Sequence, residues 1–61
     1  MRIEEAAKGT RVRVVGEPED VGTVNHVDIE DNMVWIDMPI PGHDGKTDLI
    51  DVDPAELELA S

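Results

Sequence analysis

Any catalysis in this 61-residue chain would have to start from His26 or His43, the two candidate general bases. A base needs a nucleophile or a positioned water within hydrogen-bond reach. The chain has no Cys and no Tyr, and its single Ser is Ser61, the last residue. It has no glycine-rich phosphate loop of the Walker or dinucleotide kind. His43-Asp44-Gly45-Lys46-Thr47-Asp48 sets an imidazole beside two carboxylates. A calcium loop of the EF-hand type, however, alternates acids over twelve residues and closes on a Glu, and this segment does neither. We expect no catalytic residue, no metal site and no cofactor. His26 is read as a partly exposed strand residue and His43–Asp48 as a polar turn.

The remaining chemistry is recognition. Grooves for proline helices and cages for methylated lysine need several converging rings, and base stacking on single strands needs aromatic platforms. Trp35 is the one aromatic residue of the chain apart from its histidines. Alternation along its strand sends Trp35 and Met33 away from the core face, where they could anchor a protein partner. The competing reading lays the ring over its own sheet or under the Pro39–Lys46 loop, completing a small core. Arg11 and Arg13, with Lys8 and Arg2 nearby, could track a phosphate backbone. Equally, they could pair with carboxylates on neighbouring strands.

The charge is strongly one-sided: 15 acidic residues against 5 basic give a formal net charge of −10. Residues 1–13 hold four of the basic residues and only Glu4 and Glu5 as acids, whereas residues 14–61 set Lys46 alone against 13 carboxylates. Such a field repels phosphate backbones, favours basic partners and keeps the protein in solution. Acid-rich, lysine-poor surfaces also keep proteins solvated in a salty cytoplasm. At this length we expect a single domain, residues 1–61, that buries about 60% of its unfolded surface over a thin core. The absence of Cys fits a reducing interior, so the expected location is cytoplasmic. No apolar run approaches the roughly 20 residues of a membrane span, and Met1–Lys8 is too short and acidic for a signal peptide.

Five strands are expected to position these residues. Residues 3–8 allow one helical turn, with Glu4 and Glu5 at its positive start and Gly9 as a left-handed stop. Thr10–Val15 alternates, putting Thr10, Val12 and Val14 on one face and Arg11 and Arg13 on the other. Gly16–Asp20 reads as a loop around Pro18. In the next strand, Val21–Ile29, Val24 and Val27 are three apart and cannot both face inward unless a bulge falls near Asn25-His26. Val24, Val27 and Ile29 are then inside. Glu30-Asp31-Asn32 supplies the hinge, because Asp and Asn bond nearby backbone and tolerate positive φ. Val34, Ile36 and Met38 form the core face of the third strand. Pro39–Lys46 is a loop and Thr47–Val52 a fourth strand. Asp53-Pro54 begins a single 3₁₀ turn, and Leu57–Ala60 is the last strand. The expected core is Val12, Val14, Val24, Val34, Ile36, Ile50 and Leu57. Ile50 is the position most open to a one-residue slip, because Leu49 could take its place.

Lys8-Gly9-Thr10-Arg11-Val12-Arg13-Val14-Val15, with Pro18 and Val21-Gly22-Thr23-Val24, resembles the opening run of small SH3-like and KOW-type domains. Asp53-Pro54-Ala55-Glu56-Leu57-Glu58-Leu59 is similar to their closing turn and strand. The resemblance covers nearly the whole chain. It implies an all-β fold, a small five-stranded antiparallel SH3-like barrel with a one-turn 3₁₀ helix before the last strand. It makes Gly9 and Gly22 backbone positions, and Val12, Val14, Val24 and Leu57 core positions. The barrel serves many functions, so site chemistry has to decide between them. The leading expectation is a non-enzymatic acidic module that docks on a basic or apolar patch of a larger protein through Trp35 and Met33. The alternative is a KOW-like accessory of nucleic acid or of the transcription or translation machinery, contacting it through Arg11, Arg13 and Lys8. Neither involves a membrane.

Overall fold

The computed structural model describes residues 1–60, and in it five strands form one antiparallel sheet. These are β1 (Arg11–Val14), β2 (Glu17–Asp28), β3 (Met33–Pro39), β4 (Thr47–Val52) and β5 (Leu57–Leu59). Their spatial order is β4-β3-β2-β1-β5, a meander whose last strand returns to pair with the first. One 3₁₀ turn, Ile3–Glu5, precedes the sheet, and another, Pro54–Glu56, stands before β5 as expected. Asp53 starts that second turn by accepting a hydrogen bond from the Ala55 N–H at 2.9 Å, and Pro54 fills the first position, where a missing N–H does no harm. Strands β4 and β5 are the two edges of the sheet, and among the described residues no ladder joins them.

Alternation sorts the side chains onto two faces. Val12, Val24, Val34, Ile36 and Leu57 are all at most 1% exposed and form the core. Val14 and Ile50, expected to be buried with them, are half-buried against that core. Val14 sits where the ladder to β2 breaks, and Ile50 belongs to an edge strand with no neighbour on its far side. The register places Ile50 opposite Ile36, so Ile50 faces inward and Leu49 lies outside, 45% exposed. The N-terminal segment adds core that alternation did not reveal. Ala6 is buried, with Met1 and Ile3 packed against the cluster. The Met1 ammonium donates to the Pro54 and Leu57 carbonyls at 2.9 and 2.7 Å, tying this segment to the turn before β5.

The sequence misplaces two features. Ile29, expected inside, is 77% exposed, because the hinge takes in four residues, Ile29–Asn32, and Ile29 is its first. Within it, Asp28 Oδ1 accepts from the Asp31 N–H at 3.2 Å, and Asn32 has φ 53°, the left-handed conformation that Asn tolerates. The second misplaced feature is the loop expected over Gly16–Asp20. The chain turns sharply at Val15-Gly16, with Gly16 at φ 85°, and is extended again from Glu17. Val14 pairs with Glu17 and Arg13 with Val21, so Pro18-Glu19-Asp20 are carried outside the ladder. That is where Pro18 belongs, since it has no N–H to give to a ladder.

The long strand β2 also has to bend. Its twelve residues, eleven steps of about 3.3 Å, would run to roughly 36 Å if straight, longer than the 33 Å extent of the molecule. The second interruption falls at Asn25, as the spacing of Val24 and Val27 required. Val24 pairs with Ile36 and His26 with Trp35, leaving Asn25 unpaired between them. The bulge restores Val27 to the face of Val34 and concentrates bend and twist at this point.

Candidate functional site

The bulge at Asn25 builds the most organised polar group on the outer face of the sheet. Next to it, the unbroken register from the hairpin sets His26 opposite Trp35 and on the same side. The two rings stack, with centroids 5.7 Å apart and planes inclined by 11°. Asn25, half-buried, holds this arrangement from the side. Its Nδ2 donates to Asp37 Oδ2 at 3.1 Å. Its Oδ1 lies 2.8 Å from His26 Nδ1. With the amide nitrogen directed at a carboxylate, Oδ1 can only accept, so His26 Nδ1 carries the proton. A relay Asp37–Asn25–His26 thus fixes the imidazole against the indole.

The neighbours of Trp35 are acidic. Asp51 lies directly opposite it on β4, where paired Cβ atoms stand roughly 4.5–5.5 Å apart. Asp37 and Met33 are two residues away along β3, about 6.6 Å by strand rise, and point to the same side. Asp28 pairs with Met33 at the hairpin end. Trp35 and Met33 are both half-buried and His26 is exposed. The structure therefore places Trp35 outward, as alternation demanded, with its side chain half-buried and its ring stacked on His26.

The basic residues share this outer face on its other flank. Arg11 pairs with Thr23 and Arg13 with Val21 on β2, so β2 separates them from β3 and Trp35. Lys8 and Arg11 are exposed and Arg13 is half-buried. Glu58 stands opposite Arg13 on β5, and the Arg13 Nε is buried without a hydrogen-bond partner among the described residues. The outer face is thus divided, with arginine on β1 and aspartate on β3 and β4.

Other candidates are less organised. His43 belongs to a pair of successive turns, its N–H donating to the Ile40 carbonyl and its own carbonyl accepting from Lys46, both at 3.1 Å. Among the described residues, no three or more His, Cys, Asp or Glu are gathered closely enough to hold a metal ion. Nor is any helix among them long and apolar enough to cross a membrane. A shallow groove of about 450 Å³ lies between the N-terminal segment and the second 3₁₀ turn, with Arg2, Glu4, Asn32 and Asp53 along it. Trp35, His26 and the β1 arginines take no part in that groove. Comparison with known protein families, curated proteins and solved structures finds no match to the chain.

Sequence reasoning missed the stack and its relay, although part of the signal was present. Counting back from a hinge at 29–32 pairs 28 with 33, 27 with 34 and 26 with 35, which brings His26 to Trp35 before the bulge is reached. The role of Asn25 depends on side-chain geometry that spacing does not carry.

Proposed function

We propose that this protein is a non-enzymatic, acidic binding module that docks on a larger protein through the outer face of its β2–β3 hairpin. The observation that carries the reading is Trp35, an indole held in one orientation by the His26 stack and the Asn25 relay, with Met33 beside it. Trp at a well-ordered, partly exposed position is favoured as a binding anchor, because it offers a large contact area and little rotamer entropy to lose. The strand order supports a sheet coiled as in SH3-like barrels, with Met1–Ala6 packed against the shared core. A cytoplasmic setting accords with the lack of Cys. The test is capture of partners from cell lysate on the immobilised protein. Trp35→Ala should weaken capture by about 2 kcal/mol or more, as truncation of an aromatic anchor does, while Arg11→Ala with Arg13→Ala should leave it unchanged.

A second reading rests on the β1 flank, where Lys8, Arg11 and Arg13 gather three of the five basic residues and Arg13 Nε has no partner among the described residues. In that reading the protein is a KOW-like accessory of nucleic acid or of the transcription or translation machinery. Nuclease treatment of the lysate would then abolish capture. The double arginine substitution would weaken binding to any nucleic-acid sequence alike and flatten its salt dependence by about one unit for each phosphate no longer neutralised. The net charge of −10 ranks this second, because the chain as a whole repels a polyanion.

A further inference from the structure

The docking reading leaves open what meets Trp35, and the outer face narrows the choice. Ring planes in contact stand about 3.5–4.0 Å apart. Centroids 5.7 Å apart at an inclination of 11° therefore imply a sideways offset of about 4 Å between the rings. The imidazole covers only part of the indole. Around the rest stand Asp51, opposite on β4, and Asp37, two residues along β3. Asn25 occupies Oδ2 of Asp37 and leaves Oδ1 for another donor. No Lys or Arg occurs anywhere in β3 or β4. An aromatic face bordered by carboxylates, with no cation of its own strands to neutralise them, is complementary to a cation with a flat, hydrogen-bonding head.

Resting on the docking reading above, we propose that the Trp35–His26 platform receives an arginine side chain from a basic segment of the partner protein. The guanidinium stacks on the uncovered part of the indole and donates to Asp51 and to Asp37 Oδ1. Arginine suits the place better than lysine: its planar group can stack and bond a carboxylate through two N–H groups at once, while an ammonium is a compact, strongly hydrated point charge. A second copy of this chain does not fit, because it has only five basic residues, scattered over Arg2, Lys8, Arg11, Arg13 and Lys46, and two chains of charge −10 repel. An acidic or phosphorylated segment is repelled by Asp51 and Asp37.

The test is a nuclear magnetic resonance titration of the full chain with an acetylated, amidated hexa-arginine peptide at physiological salt, and with hexa-lysine for comparison. We expect hexa-arginine to shift the Trp35 indole N–H and the amides of Trp35, Asp37 and Asp51 most, and to bind at least several-fold more tightly than hexa-lysine. Asp51→Asn should weaken it several-fold. Glu19→Gln removes the same charge from the exposed Pro18–Asp20 segment and should not. The proposal is overturned if the indole stays unmoved, if Glu19→Gln weakens binding as much as Asp51→Asn, or if hexa-lysine binds equally well. Because Asp51 is exposed, its substitution should leave the fold intact, and the outcome does not depend on a variant of Trp35. The two claims can fail separately. Loss of lysate capture in Trp35→Ala, combined with an indole unmoved by hexa-arginine, would keep the docking surface and discard the arginine.

Discussion

Strand β2 is interrupted twice, and the two interruptions are built from opposite chemistry. Near its start, Pro18-Glu19-Asp20 leave the ladder to β1 between the Val14–Glu17 and Arg13–Val21 pairs. All three residues are exposed, and Asp20 beside Glu17 raises the Glu17 carboxyl above its ordinary range, first by a hydrogen bond and then by like charge. Near its middle, the single residue Asn25 leaves the ladder to β3 and bonds on both sides, to Asp37 and to His26. One interruption houses a proline and crowds carboxylates. The other joins three side chains and aims a ring at Trp35. An extra residue in a strand therefore creates a site only where its side chain can satisfy groups on both flanks. Where it brings like charges together, it merely lets the chain pass.

The largest effect should come from the segment between them. Gly22 is buried, and a Cβ built on it would stand 3.0 Å from the Asp37 carbonyl oxygen and 3.4 Å from Met38 Cε. The methionine end can move, but the carbonyl belongs to the backbone of β3. Gly22→Ala should destabilise the domain by about 1–3 kcal/mol, the usual range for overpacking, measured by thermal or urea unfolding. Because the strain falls on Asp37, it should also disturb the Asn25 relay while leaving the Glu17–Asp20 pair unaltered. A shift at Glu17 as large as that at Asn25 would mean the two interruptions are not independent.

Next in size is Asn25 itself. Asn25→Ala removes both hydrogen bonds of the relay, and since the freed groups can reach water the cost should be about 1 kcal/mol. The change distinctive to this site should be optical. With Nδ1 released, His26 is free to leave the indole, and Trp35 fluorescence should change in intensity in the folded protein. Deleting Asn25 sharpens the point. Val24–Ile36, His26–Trp35 and Val27–Val34 then become consecutive pairs with unbroken alternation, so the core residues keep their faces while the bulge and relay disappear. A deletion variant with an unchanged His26–Trp35 stack would refute the role of Asn25 in holding the two rings together.

Much of this arrangement was legible in the sequence. Val24 and Val27 cannot share a face without an extra residue, and that arithmetic alone located the bulge. Alternation gave Val34 and Ile36 to the core and Trp35 to the outside, and Asp53-Pro54 marked the turn before β5. The failures have physical causes. Gly16–Asp20 carries the composition of a loop, yet a turn needs only Val15-Gly16, and the strand resumes at Glu17 before Pro18 steps out of it. Ile29 has the propensity of a strand residue, but the four-residue hinge claimed it. Ala6 is small, and its burial depends on how Met1–Ala6 folds back on the sheet, which no local pattern encodes.

A smaller effect separates the other interruption. Removing Pro18, Glu19 and Asp20 together would place Glu17 directly before Val21, and the Val14–Glu17 and Arg13–Val21 pairs would become successive rungs closed by the Val15-Gly16 turn. The shortened chain should fold with the same core and an unbroken β1–β2 ladder, and its thermal midpoint should be no lower than that of the parent. If this deletion unfolded the domain, the segment would be a structural requirement comparable to Asn25, and the contrast would fail.

The smallest effect is one of pH, and its sign follows from the carboxylates themselves. In the folded chain Glu17 holds its proton more tightly than an ordinary glutamate, because Asp20 shares a hydrogen bond with it and repels its charged form. Unfolding separates the two groups, so between the ordinary glutamate pKa and the raised folded value the native state binds the extra proton. Stability from this pair is fully present at lower pH and is lost as pH rises through that window. Glu17 is on the surface, where water and salt weaken such coupling, so the direct measurement is a carbon-detected titration of its side chain. We expect a midpoint above the ordinary glutamate range, and Asp20→Asn should lower it toward that range. Asn25→Ala should leave it untouched, since the relay at Asp37 lies on the other side of β2. A Glu17 midpoint indifferent to Asp20 would show that the first interruption carries no charge coupling, leaving the proline alone to set it apart from Asn25.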